Sequence, residues 1–101
     1  MPALPTLRQL AYLVALSERL NFRAAADAQF VTQSTLSAGI KELETALGVQ
    51  LVERDRRHVR LTTVGEDVVA RGRALLAAAT DLAESARSAT RPLSGPPEKW
   101  R

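Results

Sequence analysis

The chain has 101 residues, 46% of them hydrophobic, with 14 Lys and Arg against 11 Asp and Glu for a net charge of +3, which allows one modest core and favours an anionic partner. The absence of cysteine and the single histidine exclude disulfides and thiol redox sensing and argue against a zinc site. No apolar run approaches the ~20 residues of a membrane span and no basic-apolar-small cleavage pattern opens the chain, so a cytoplasmic protein without metal or cofactor is expected.

Met1 to Pro5 holds two prolines and is expected to be an extended lead-in. Thr6 and Gln9 form a capping-box pair ahead of an apolar run. The helix that follows, about Leu7 to Glu18, sets Leu7, Leu10, Ala11 and Val14 on one face, with Tyr12, Leu13 and Leu16 widening it. So wide a band belongs to a helix packed on two sides, and Tyr12 is read as core or core edge ahead of a ligand contact.

The stretch from Asn21 to Gly48 predicts two helices and a tight turn. The first, about Phe22 to Ala28, is short and Ala-rich, so a second helix can cross close over it as in a helix-turn-helix. Phe22 and Phe30 bracket it and are read as core anchors, ahead of base stacking, which needs an exposed single strand. The second helix starts at Thr32, whose hydroxyl can cap its first turn. Leu36, Ile40, Leu43 and Leu47 then form its buried stripe, and Gly48 closes it. Gln33, Ser34, Thr35 and Ser37 cluster at its start, all small or neutral hydrogen-bonding side chains. Such an end fits a major groove, where Gln pairs with the adenine edge and Ser or Thr reaches bases and phosphates, with the helix dipole favouring a phosphate. The plainer reading is a solvated cap.

After Gly48 the pattern changes. Leu51 to Arg54 and Val59 to Leu61 are extended, joined by Asp55, Arg56, Arg57 and His58 as a β-hairpin. Between positions 51 and 62, Arg54, Arg56, Arg57 and Arg60 stand against Glu53 and Asp55, four positive minus two negative charges, or +2. A charged hairpin is commonly a solvated edge, but beside a helix-turn-helix its arginines can follow phosphates or enter a narrow minor groove.

One long helix is predicted from Thr62 or Thr63 to about Thr90, with a possible capping box at Thr63 and Glu66. Val68, Gly72, Leu75, Ala79, Leu82, Ala86 and Ala89 step 4-3-4-3-4-3, a heptad seam with small residues alternating with Leu. A second stripe at Val69, Leu76 and Ala83 would face the domain. About seven turns of helix exceed what so small a domain covers, so a homodimer interface through Val68, Gly72, Leu75, Ala79, Leu82 and Ala86 is expected. Pro92 ends the helix. The expected division is a winged helix-turn-helix domain over 1–62, a linker and dimerisation helix over 63–91, and a hinge-like tail over 92–101.

The run VTQSTLSAGIKELETALGVQLVERDRRHVRLTTVG resembles the pattern VSQPxLSxxIxxLExxLGxxLFxRxxRxxxLTxxG of the N-terminal DNA-binding domain of LysR-type transcriptional regulators, within a likeness that extends roughly from Leu7 to Gly95. LAYLVALSERLNFRAAAD and TLSAGI are most similar to the OxyR-like branch, which senses peroxide. The resemblance implies a mainly α fold, a winged helix-turn-helix whose long C-terminal helix dimerises. It places Arg54 and Arg57 at the wing-arginine positions and puts the cap of the long helix at Thr62. The chain departs from the pattern at Ser34, often Pro, and at Ala38 followed by Gly39, where Arg is frequent. LSGP resembles the hinge before the family's effector-binding domain; with the sequence stopping after PEKWR, no small-molecule effector is expected to bind this chain.

The expected function is sequence-specific binding of double-stranded DNA, at an interrupted palindrome, by a homodimeric transcriptional regulator. Gln33, Ser34, Thr35 and Ser37 would read bases, Thr32 would cap and touch the backbone, and Arg54, Arg56 and Arg57 would hold phosphates and the minor groove. The competing class is a protein-interaction module that pairs through its long helix with another regulator. No nucleophile-base or carboxylate constellation emerges, so an enzyme is not expected.

Overall fold

The computed structural model describes residues 3–55 and 57–90; Arg56 and the tail from residue 91, including the helix-ending role expected of Pro92, lie outside them. Four helices and a two-stranded antiparallel hairpin follow in the order α1 (Leu7–Arg19), α2 (Phe22–Ala28), α3 (Gln33–Leu47), β1 (Val52–Arg54), β2 (Val59–Leu61) and α4 (Thr63–Thr90). This is a winged helix-turn-helix with a long C-terminal helix. Its boundaries follow from local chemistry. Thr6 and Gln9 exchange both capping-box hydrogen bonds at 3.1 and 3.0 Å, the Asn21 side chain accepts from the Ala24 N–H at 2.8 Å, and Gly48 turns out of α3 at φ 70°.

α1 is the hub. Leu10, Tyr12, Leu13, Ala15 and Leu16 enter the core, where they meet Ala25 and Ala26 of α2, Leu36, Ile40 and Leu43 of α3, and Leu51, Val52 and Val69. Leu7, expected on the buried face, remains 48% exposed at the first turn, and Leu47 closes the α3 stripe only partly buried. α1 and α3 approach closely where a Cβ on Gly39 would stand 2.5 Å from Cδ2 and 2.8 Å from Cε2 of Tyr12. The Tyr12 ring, only 5% exposed, therefore lies flush on a helix that can carry no side chain there.

Phe30 corrects the sequence reading: it is 95% exposed and anchors nothing. The cause is the end of α2. The Val31 N–H donates to the Ala26 carbonyl at 3.0 Å and the Phe30 N–H to the Asp27 carbonyl at 3.2 Å, the paired bonds of a Schellman turn, which sets the residue between them in the left-handed region. Phe30 adopts φ 58° and its ring is turned outward, while the next residue, Val31, packs against the core in its place. Glycine is the usual occupant of such a position, because a side chain there costs roughly 1–2 kcal/mol.

α4 is capped by Thr62, whose hydroxyl accepts from the Gly65 N–H at 2.9 Å and donates to the Gln50 carbonyl at 2.8 Å. Gly65 is buried so tightly that a Cβ would collide with the Leu51 carbonyl. Two turns on, Gly72 faces Leu10 and Val14 of α1, and Val68 packs beside it. The expected heptad seam is thereby corrected at its start: Gly72 is buried within its own domain, and Val68 is half covered there. A 2.8 Å ion pair joins Arg73 of α4 to Glu18 of α1. Beyond it Leu75 and Leu82 are 50% and 72% exposed.

Candidate nucleic-acid interface

The amino end of α3 is built on Thr32. Its backbone is extended, its hydroxyl oxygen accepts from the Thr35 N–H at 3.1 Å, and the hydroxyl lies 2.8 Å from Thr35 Oγ1 and 3.2 Å from Ser34 Oγ. Gln33 and Ser34 extend from this cap into solvent.

At about 100° per residue, Ser34, Ala38, Lys41 and Thr45 form the outermost row of α3, opposite the buried Leu36, Gly39, Ile40 and Leu43. Gln33 and Ser37 fall on one flank of that row. The same flank carries Glu44, whose Oε2 accepts from the N–H groups of Leu51 at 2.8 Å and Val52 at 3.2 Å, so it is the flank that faces the wing. Thr35 falls on the other. It lines an open groove with Tyr12, Gly39 and Glu42 and accepts from the Thr32 hydroxyl. Thr35 is thus part of the cap, and of the four polar residues expected to act together it is set apart from Gln33, Ser34 and Ser37, because residues two apart on a helix diverge by about 200°.

Lys41 was missed by sequence reasoning. It is exposed, seven residues from Ser34 and four from Ser37, the i+7 and i+4 spacing that carries one helix face along two turns. That spacing was the available signal.

The wing pairs Val52 with Leu61, Glu53 with Arg60 and Arg54 with Val59. Its tip is organised by Asp55, whose Oδ1 accepts from the N–H groups of Arg57 and His58, each at 2.8 Å, while the Asp55 N–H donates to the His58 carbonyl at 3.0 Å. The Arg57 N–H first, then that of His58, holds the Asp55 carboxyl below its ordinary value of 3.8. Arg57 is exposed at this tip. Arg54, at the end of β1, lies with its guanidinium carbon 4.7 Å from the centroid of the Phe22 ring, which joins the wing to the first residue of α2. Arg56 lies outside the described residues.

A family model described as the bacterial regulatory helix-turn-helix protein, lysR family, matches residues 7–66. The chain is 63% identical over 95 residues to the HTH-type transcriptional regulator EstR of Acinetobacter baylyi, covering 94% of this chain and 32% of that protein. It is 44% identical over 90 residues to the DNA-binding transcriptional dual regulator OxyR of Escherichia coli, covering 89% of this chain and 30% of the relative. The chain therefore spans about a third of the length of these relatives. The likeness to OxyR-like regulators holds across the domain, and EstR shares more of its residues. Among solved structures, the CbnR_DBD–DNA complex superposes with a TM-score of 0.79 at 35% identity, covering 85% of this chain and 99% of that one.

Proposed function

The chain belongs to the LysR family of bacterial regulatory helix-turn-helix proteins, and from that membership we propose that it binds duplex DNA sequence-specifically as a homodimer, the DNA-binding portion of a transcriptional regulator. The observation that carries this reading is the fastening of the wing to the outward flank of α3. The exposed start of α3 with Gln33 and Ser34, the flank with Ser37, and the wing with Arg54 and Arg57 are joined through the Glu44 carboxylate. The CbnR domain that this fold matches was crystallised with DNA.

In this reading Gln33, Ser34 and Ser37 meet base edges in the major groove, Thr32 caps α3 and touches the backbone, and Lys41 follows a phosphate. Arg57, with Arg56 beside it in sequence, reaches phosphates or the minor groove. The head over 1–62 binds DNA and the segment 63–91 dimerises through Leu75, Ala79, Leu82 and Ala86. Two heads joined this way match an interrupted palindrome. The work is binding in the cytoplasm.

The decisive experiment compares specific with random duplex. Gln33→Ala is expected to cost roughly 1–3 kcal/mol on a selected site, to relax preference at one base position, and to leave random DNA almost unaffected. Equal losses on both duplexes would make Gln33 a backbone contact. The bare Leu75 and Leu82 also suit pairing with another regulator. A module of that kind alone would show no salt-sensitive retention on heparin and no footprint.

A further inference from the structure

We propose that Phe22 is a positioning residue for DNA binding: its ring holds the Arg54 guanidinium at the junction of α2 and the wing, with the N–H donors free to meet a backbone phosphate. The inference rests on the DNA-binding reading above and assigns work to a residue that the reading leaves in the core.

Three observations carry it. First, the contact is close, with the guanidinium carbon 4.7 Å from the ring centroid, inside the ~6 Å range over which a ring face attracts a cation. Second, the ring is fixed. Phe22 is the first residue of α2, behind the Asn21 cap, and packs half-buried against the core, whereas Arg54 ends a three-residue strand and is exposed. Third, the charge stays available. Arg54 stands between Glu53 and Asp55 in sequence, yet the ion pairs found among the described residues involve neither carboxylate with Arg54. A ring face attracts the cation without consuming its hydrogen-bond donors or cancelling its charge, and a guanidinium presents those donors in a planar fork suited to phosphate.

The physical consequence is preorganisation. A long arginine side chain that is ordered before DNA arrives loses less freedom on binding, and affinity rises by that difference. An exposed cation–π contact corresponds to about 2–5-fold, and two wings in a dimer would multiply to about 4–25-fold.

The test is a double-mutant cycle on a duplex selected from random sequence by the wild-type protein. The variants are Phe22→Leu, Phe22→Trp, Arg54→Ala and Phe22→Leu with Arg54→Ala, each titrated over a series of salt concentrations. Arg54→Ala is expected to lower affinity and reduce the log-log salt slope by about 1 for each phosphate it no longer neutralises. Phe22→Leu should lose affinity by the factor above at unchanged helix content, Phe22→Trp should restore it, and the double variant should bind no more weakly than Arg54→Ala alone. Additive losses, wild-type binding by Phe22→Leu, or an Arg54→Ala variant without effect would each overturn the proposal while leaving DNA binding itself intact. A wild type that binds no duplex would overturn both. Should leucine leave the head unfolded, Phe22→Met takes its place in the cycle.

Discussion

The two halves of α4 share a heptad spacing but have different surroundings. From Gly65 to Gly72 the helix is packed against α1 and the residues before β1, and its small residues are where the neighbours come closest. From Leu75 onward it carries leucines of the same period into solvent. Length explains the change: α4 has 28 residues, about 42 Å of helix, against 13 residues and about 20 Å for α1. Periodicity states that a helix has an apolar stripe; only the length of the opposing surface states where one partner ends and another is needed. Gly72 and Leu75 are three residues apart on one predicted seam, yet the first is buried within the chain and the second is half exposed.

The largest effect that could break this contrast is expected at Leu82. A charge placed there by Leu82→Arg should leave the head folded, because that side chain touches none of its core, but should give a monomer in light scattering. Specific affinity should fall by about 10²–10⁴-fold as the second head loses its high effective concentration. A monomeric wild type with the affinity of the variant would show that the outer half of α4 needs no partner.

Next in size is the tight half of the structure. Gly39→Ala places a methyl group against a Tyr12 ring that is itself buried, so we expect a loss of roughly 1–3 kcal/mol from overpacking, read as a lower midpoint in denaturant. Gly72→Ala sharpens the comparison by going the other way. Its Cβ would meet Leu10 and Val14 at 3.5–3.8 Å, ordinary contact distances, and replacing glycine inside a helix is worth about 0.8–1.0 kcal/mol. A stabilised protein of unchanged oligomeric state is expected; weakened dimerisation would return Gly72 to the seam.

The smallest effect belongs to the wing tip, which is exposed where the head is buried. The Asp55 carboxyl is held below its ordinary value of 3.8 by the N–H groups of Arg57 and His58. A carboxyl with a depressed folded pKa contributes stability above the unfolded value and loses it as pH falls through the folded one. Corrected for intrinsic exchange rates, protection of the Arg57 and His58 amides should therefore stay constant near neutrality, where the carboxylate is ionised, and fall only below about pH 4. Asp55→Asn, which keeps an acceptor oxygen without the titration, should remove that acid-side change.

What was legible in the sequence was what the chain determines locally. Thr32, Gly48 and the Leu36, Ile40, Leu43 stripe specify α3 by capping, positive φ and period, and the turn residues between Arg54 and Val59 mark the hairpin. The family pattern correctly moved the α4 cap from Thr63 to Thr62. Phe30 was misread because residue type points inward while the paired hydrogen bonds ending α2 dictate a left-handed backbone that points it outward. Gly39 and Tyr12 are far apart in sequence, so nothing local announces that one exists to admit the other. The separation of Thr35 from Gln33 was available from helix geometry alone.

The Glu44 carboxylate is also a mechanical fastener. By accepting from two successive N–H groups at the start of β1 it bolts the wing to α3, and Thr62, the cap of α4, ties that helix to the segment before β1 by donating to the Gln50 carbonyl. In the proposed mode of binding, these bonds hold α3, set in one groove, at a fixed distance from the arginines directed at the next. When the spacing between grooves does not suit it, the compliance has to come from the nucleic acid, through bending or groove narrowing whose cost depends on the base steps involved. Stiffness of the duplex then enters the affinity at positions that no side chain touches.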